Sequence, residues 1–221
     1  MELLSINVAI PKVVTAYSRR VETGIFKQPV IGPVRVGTFN LEGDRQADLS
    51  VHGGANKAVY VYSWKNIEHW KKFLERDDLH PGSFGENLTL DDLADTEIFI
   101  GDELLIGTAR FEVSQPRFPC YKLGIALGRP DVVKAFEESG RNGFYLRVLQ
   151  EGTIRAGDKI TRIANDEPGT VTIAEFANIY RARNAQGSKI SSAEIARLLR
   201  LKALPEAVKS PLRKAFVRHV K

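Results

Sequence analysis

Glu97-Ile-Phe-Ile-Gly-Asp-Glu-Leu-Leu-Ile106 is echoed further along the chain by Thr153-Ile-Arg-Ala-Gly-Asp-Lys-Ile160. Each segment reads as a short apolar β run, a Gly-Asp turn and a second run, which predicts a pair of tight hairpins. Working outward, Arg110–Ser114 and Gly143–Leu149 read as strands between and beside them. Leu4–Ile10, Thr23–Val30, Pro33–Thr38, Ala58–Tyr62 and Leu88–Leu90 add further short β-favouring runs, broken by Pro29, Gly32 and Pro33. Helical spacing is confined to three insertions. Ser63 can cap a helix to about Glu75, with Trp64, Ile67, Trp70 and Leu74 on one side; a short helix is expected near 121–126, and another over Asp131–Ser139 with Gly140 just past its end. Many short strands, Gly/Pro turns and few helices predict a mainly β fold, a β-barrel rather than a doubly wound sheet, over residues 1–164.

From Val171 the period becomes helical. Thr172-Ile-Ala-Glu175 and Ser191-Ser-Ala-Glu194 both fit the capping box, in which hydroxyl and carboxylate satisfy orphan backbone N–H groups. Ser210-Pro211 reads as a cap before a proline at the first helical position. Three helices are therefore expected, about 172–183, 192–201 and 211–219, in a C-terminal module (170–221) behind an Asn165–Gly169 linker. Over 171–221 the chain carries eleven Lys and Arg against three Asp and Glu, a net of +8, so the rest carries −3 of the overall +5. That asymmetry suggests a module with its own partner. Nucleic acid is not the expected one, because Phe176, Tyr180 and Phe216 occupy apolar helix positions; a solvated basic surface or a docking face for an acidic electron-transfer protein is the alternative.

The 221 residues are enough to bury a full core, and 43% hydrophobic with 27% charged residues is ordinary for a globular protein. No apolar run approaches the roughly 20 residues that cross a bilayer. The N-terminal MELLSINVAIPKVV lacks a basic region and a cleavage site, so no secretory leader and no membrane association are expected. One cysteine excludes an internal disulfide framework and CxxC metal sites, which makes a cytoplasmic setting the default. Histidines 52, 69, 80 and 219 make no HxxxH pair, and no GxSxG is present.

The chemistry concentrates in polar loops. Arg45, His52, Lys57, Asn87, Arg117 and Cys120, with Lys27 and Asn142 as outliers, come from distant segments that a barrel could bring to one rim. The set is rich in cations and amide donors and poor in paired carboxylates, which suits an anionic, phosphate-bearing ligand. Cys120, in Ser114-Gln-Pro-Arg-Phe-Pro-Cys-Tyr121, is either a buried filler or a reactive centre. Flanking prolines and the nearby Arg117 and Lys122 favour a functional thiolate. His52, just before Gly53-Gly54, is either a hydrogen-bonded structural group or a ligand-facing one. Trp64 and Trp70 read as packing residues.

Asn40-Leu-Glu-Gly-Asp-Arg-Gln-Ala-Asp48, Val51-His-Gly-Gly-Ala-Asn-Lys-Ala-Val-Tyr60, Gly82-Ser-Phe-Gly-Glu-Asn-Leu88 and Gln115-Pro-Arg-Phe-Pro-Cys-Tyr-Lys-Leu123 together resemble a MOSC domain. The tail resembles the three-helix extension of that family's YiiM-like branch. The resemblance implies a barrel-like MOSC core that binds the pyranopterin molybdenum cofactor (molybdopterin). It implies that Cys120 is a molybdenum ligand, that Lys27, Arg45, His52, Lys57 and Arg117 line the pocket, that Asn87 donates to the pterin or its phosphate, and that Asn142 belongs to the same set. It further implies reduction of N-hydroxylated compounds such as 6-hydroxylaminopurine, with Cys120 and His52 in catalysis; His52 and Lys57 are the side chains that could supply a proton to the leaving oxygen. Electrons would come from a redox partner protein. The alternative is a molybdenum cofactor carrier without turnover.

Overall fold

The structure is a computed structural model that describes residues 1–48, 53–183 and 190–220. Its strands are β1 (Leu3–Val8), β2 (Lys12–Ala16), β3 (Arg19–Thr23), β4 (Gln28–Pro29), β5 (Val34–Val36), β6 (Val59–Ser63), β7 (Leu88–Leu90), β8 (Glu103–Ile106), β9 (Ala109–Pro116), β10 (Phe144–Gln150), β11 (Gly152–Ile154) and β12 (Ile160–Ile163). The helices are α1 (Trp64–Leu74), α2 (Tyr121–Leu127), α3 (Val132–Glu138), α4 (Ile173–Ala182), α5 (Ser192–Arg200) and α6 (Glu206–Val220). No helix among the described residues is long and apolar enough to cross a membrane.

Eight strands form one sheet in the order β12-β8-β9-β10-β6-β7-β1-β4. Its pairs are antiparallel except β6–β7, which run parallel because α1 crosses between them. The sheet curls until its ends meet: Leu3 N–H donates to Asp158 O (3.0 Å), Gly157 N–H to Leu3 O (2.7 Å) and Ile160 N–H to Met1 O (3.0 Å). A mainly β, barrel-like body results. The β5–β11 ribbon and the β2–β3 hairpin stand outside this sheet.

Strand β6 explains how the body is packed. In Val59-Tyr-Val-Tyr-Ser63 successive side chains leave on opposite faces, and every residue is buried. Val59 and Val61 join the barrel core, whereas Tyr60 and Tyr62 join a second cluster with Trp70, Phe84, Leu123 and Phe136 beneath α1–α3. Ser63 ends the strand and caps α1, its hydroxyl accepting from Asn66 N–H (3.3 Å). The cleft described below opens where the tyrosine face of β6 meets its neighbours.

The paired Gly-Asp segments do not form the expected hairpins. Glu97–Ile100 is not a strand: Ile98 and Ile100 are buried, and their backbones pair with the tail through Ile173 N–H to Ile98 O (2.9 Å) and Ile100 N–H to Val171 O (3.0 Å). Asp102, fully buried, makes the turn by accepting from Phe99 N–H (2.8 Å) and Asn165 N–H (2.7 Å) while pairing with Arg162 (2.7 Å). The hairpin that does form is β8–β9, around Gly107-Thr108. At the second echo, β11 pairs with β5 and β12 with β8, so the arms part into different sheets. Thr23–Val30 is strand only at its ends, in β3 and β4, and β9 runs on through Ser114–Pro116.

In the tail, Thr172 caps α4 through Glu175 N–H (3.1 Å) and Ser191 caps α5 with a complete capping box. The third helix differs from expectation. It begins at Glu206, after Pro205, and runs through Pro211, which lies inside it. Pro205 and the first-turn acid Glu206 are the start signal, and a proline inside a helix costs a hydrogen bond without ending the element. Ile173, Phe176, Ile195, Leu198, Leu204, Val208 and Leu212 bury into the same cluster as the barrel's Leu3, Ile98, Leu104 and Phe111. The Asn165–Gly169 segment is tied down as well, Asn165 Nδ2 donating to Ile100 O (2.9 Å).

Candidate functional site

One cleft gathers chain from six places. Its walls include Lys27, Asp44, Arg45, Lys57, Tyr60, Phe84, Asn87, Arg117, Phe118, Cys120, Lys122 and Tyr145, around about 670 Å³ of empty space with the mouth included. Thus Lys27, Arg45, Lys57, Asn87, Arg117 and Cys120 are brought together. Asn142 stands behind the wall. His52 lies outside the described residues.

Lys27 reaches the cleft because the Pro81–Asn87 loop clasps the segment that carries it. A Cβ at Gly82 (φ +93°) would stand 2.6 Å from Lys27 O, and one at Gly85 (φ +78°) 2.8 Å from Ile25 Cγ1, so only glycine allows this approach. Glu86, wholly buried, holds the loop shape by accepting from Gly82 N–H (2.6 Å), Phe84 N–H (3.0 Å) and the Thr89 hydroxyl (3.0 Å). Burial pushes the Glu86 carboxyl above its ordinary value, and these bonds oppose that.

Lys27 Nζ forms a buried ion pair with Asp44. Asp44 also accepts from Ala9 N–H (2.8 Å) and from Asn87 Nδ2 (2.9 Å). Burial pulls the Lys27 ammonium below its ordinary value even though Asp44 works to raise it. Asn87 is committed to the protein as well as lining the cleft: its Nδ2 donates to Asp44 and Asn7 O (3.3 Å), and its Oδ1 accepts from Tyr60 N–H (3.1 Å). Asp44 was visible in the sequence only as a neighbour of Arg45. Its actual partners, Lys27 and Asn87, come from other segments.

Arg117 is the most enclosed of the cations, 5% exposed, its guanidinium 5.1 Å from the Tyr60 ring and 5.0 Å from the Phe136 ring. Its backbone is held by Gly143 O (N–H···O 3.1 Å) and by Asn142 Nδ2, which donates to Arg117 O (3.1 Å). Nη2 makes one long contact with Phe84 O (3.5 Å), and Nη1 is buried with no hydrogen-bond partner among the described residues. A buried guanidinium donor left unmatched is costly unless a ligand supplies the acceptor. Lys57, at the end of a 3-10 turn over Ala55–Lys57, is half-buried, and burial lowers its ammonium from the ordinary value. Burial raises the Tyr145 phenol, the Arg117 charge opposing it.

Cys120 is half-buried, immediately before α2, and makes no capping bond with its side chain. Around it, among the described residues, the cleft presents five cationic side chains, Lys27, Arg45, Lys57, Arg117 and Lys122, against the single lining carboxylate Asp44. Such a surface takes an anion. Among the described residues no three His, Cys, Asp or Glu side chains are grouped to hold a metal ion. A metal attached at Cys120 would therefore draw its other ligands from the molecule that carries it. A soft thiol beside a cationic array fits a sulfur-ligated metal on an anionic organic carrier. Aromatic walls from Tyr60, Phe84, Phe118 and Tyr145 also escaped the sequence reading; the signal was the Val/Tyr alternation of β6, apolar on both faces.

The sequence profile of the MOSC domain matches residues 48–161. An uncharacterized protein YflK of Bacillus subtilis is 39% identical over 82% of this chain and 82% of its own length. A protein named only as a reductase, from Gibberella moniliformis, is 33% identical over 76% of this chain, which spans 30% of that longer protein. Among solved structures, YiiM from Geobacillus stearothermophilus superposes with a TM-score of 0.78 at 33% identity, covering 97% of this chain and 98% of that one.

Proposed function

The chain belongs to the MOSC-domain family, in its YiiM-like branch, and from that premise we propose that it binds the molybdenum cofactor and reduces N-hydroxylated compounds to amines. The observation that carries this reading is the pairing of the lone thiol Cys120 with five cations in one cleft, Arg117 Nη1 having no partner there among the described residues. A reductase among the relatives supports the oxidoreductase class. When bound, the cofactor would supply two-electron redox chemistry at a metal with sulfur ligands.

The protein's own groups divide the remaining work. Cys120 Sγ would add a thiolate to the metal. Arg117, Arg45 and Lys122 would hold the anionic part of the cofactor. Lys27 is fixed by Asp44, which Asn87 holds in turn, so its ammonium is positioned without rearrangement on binding. Lys57 Nζ, its affinity for a proton reduced by burial, would give that proton to the hydroxyl oxygen of the substrate as the N–O bond breaks. The balance is one hydroxylamine, two electrons and two protons to one amine and one water. The phenols of Tyr60 and Tyr145 and the ring of Phe84 would exclude water and offer flat faces to a purine-like substrate.

The test supplies cofactor-loaded protein with a chemical reductant and 6-hydroxylaminopurine. Formation of the corresponding amine in multiple turnovers is expected. Retention of the cofactor with no amine formed would contradict the reductase and leave a carrier.

A further inference from the structure

Phe118 stands between Arg117 and Cys120 on the same loop, its ring on the cleft wall. The ring also lies against Tyr180 of α4, with centroids 4.8 Å apart and planes 26° apart. Tyr180 in turn stacks on the fully buried Phe176 (5.6 Å), and the Arg183 guanidinium covers the tyrosine ring at 3.4 Å from its centroid. A second route joins the same helix to the same loop. Ala174 N–H donates to Asp95 O (2.9 Å); the Asp95 carboxylate accepts from Asn142 N–H (2.6 Å) and Gly143 N–H (2.9 Å); Asn142 Nδ2 and Gly143 O then hold the Arg117 backbone. One route is aromatic and the other polar, and they share no side chain.

The geometry points to α4 as a positioning element of the cleft, with Tyr180 the residue through which the C-terminal helices set the stance of Phe118 and so of Arg117 and Cys120. The tail then serves the site directly, whatever else binds its basic surface. A loop held between two prolines has few internal contacts of its own, and a stacked ring restricts it without occupying the cleft. The significance given to Cys120 rests on the cofactor reading; the contact between α4 and the loop does not.

Cys120 is the only cysteine, so its alkylation by iodoacetamide in the full-length chain, prepared in a host that makes no molybdenum cofactor, reports how well the loop is held. Tyr180→Ala is expected to speed alkylation by roughly two- to tenfold, the factor that corresponds to losing one aromatic stack. Tyr180→Phe, which keeps the stack, is expected to react at the wild-type rate. Leu212→Ala, a buried truncation in α6 that leaves the Phe118–Tyr180 stack in place, controls for general loss of stability and is also expected to react at the wild-type rate. Should Tyr180→Ala fail to fold, Tyr180→Leu takes its place with the same expectation. A wild-type rate in the Tyr180 variant, or equal acceleration in Leu212→Ala, overturns the inference. Neither result bears on whether the wild-type chain retains molybdopterin, so failure of the cofactor reading would be seen separately.

Discussion

Lys27 and Asp44 form an ion pair removed from water, its carboxylate also receiving Asn87 and the backbone of Ala9. Breaking a buried pair from one side leaves the other charge uncompensated, which typically costs about 3 kcal/mol or more. Asp44→Asn, close in shape, is accordingly expected to lower the urea unfolding free energy by about 3 kcal/mol; a change near zero would mean the pair is solvated and not part of a rigid cleft. Asp95 gives a pH signature. Burial raises its carboxyl from 3.8 to about 6, against the bonds from Gly143 and Asn142. The fold thus favours the protonated acid, so the contribution is present in full below about pH 4 and is lost as pH rises through about 6. With roughly two pKa units at stake this is on the order of 3 kcal/mol. Wild type should lose stability relative to Asp95→Asn between pH 4 and 7, and parallel curves would refute the assignment. Of these residues the sequence displays the cations and the thiol, because polar Gly-rich loops advertise ligand contact. It hides Asp44, whose nearest cation in sequence is Arg45 but whose partner in space is Lys27. Asn142 is named by the sequence but not its role: the residue supports Arg117 from behind, which no local pattern carries.

At the scale of elements, caps and starts were legible where their chemistry is local. Ser63, Thr172 and Ser191 each satisfy a backbone N–H three residues on, and the three helices start where those side chains sit. Strand partners were not legible. Glu97–Ile100 and Glu103–Ile106 look like the arms of one hairpin, yet the first is taken up as a seam for the tail by Val171 and Ile173. A Gly-Asp turn reports that the chain bends and says nothing of where its arms pair. The third tail helix separates two local signals, Pro205-Glu206 and Ser210-Pro211, and the earlier one governs. That makes a sharp prediction for Pro211→Ala. In the interior of a continuous α6, the change restores a helical N–H and should stabilise the protein by about 1–3 kcal/mol in chemical denaturation. Were the helix to begin at Pro211, proline would sit at its preferred first position and alanine would bring no gain.

For the whole molecule, the change of period at Val171 marks a change of architecture without a break in the core. Barrel residues such as Leu104 and Phe111 and tail residues such as Phe176 and Leu212 belong to one buried cluster. The charge asymmetry between body and tail is therefore carried on the surface of a continuously packed body. Mainly β character and the three-helix tail could be read from the sequence because period and turn chemistry are local properties. Closure of the sheet, from Met1–Leu3 onto Asp158–Ile160, could not, since it depends on two segments far apart in the chain. That closure, the Gly82–Gly85 clasp and the Arg117 loop together assemble a cationic cleft around the chain's only cysteine. The account's central claim is that this thiol ligates a metal carried by an anionic cofactor, and it is tested most directly by metal analysis. Wild type and Cys120→Ser, each purified from a host that makes the molybdenum cofactor, would be assayed for molybdenum per chain, with far-UV circular dichroism to verify folding. The account predicts substantial molybdenum in wild type and its loss from a folded Cys120→Ser protein; equal molybdenum in the two would contradict it.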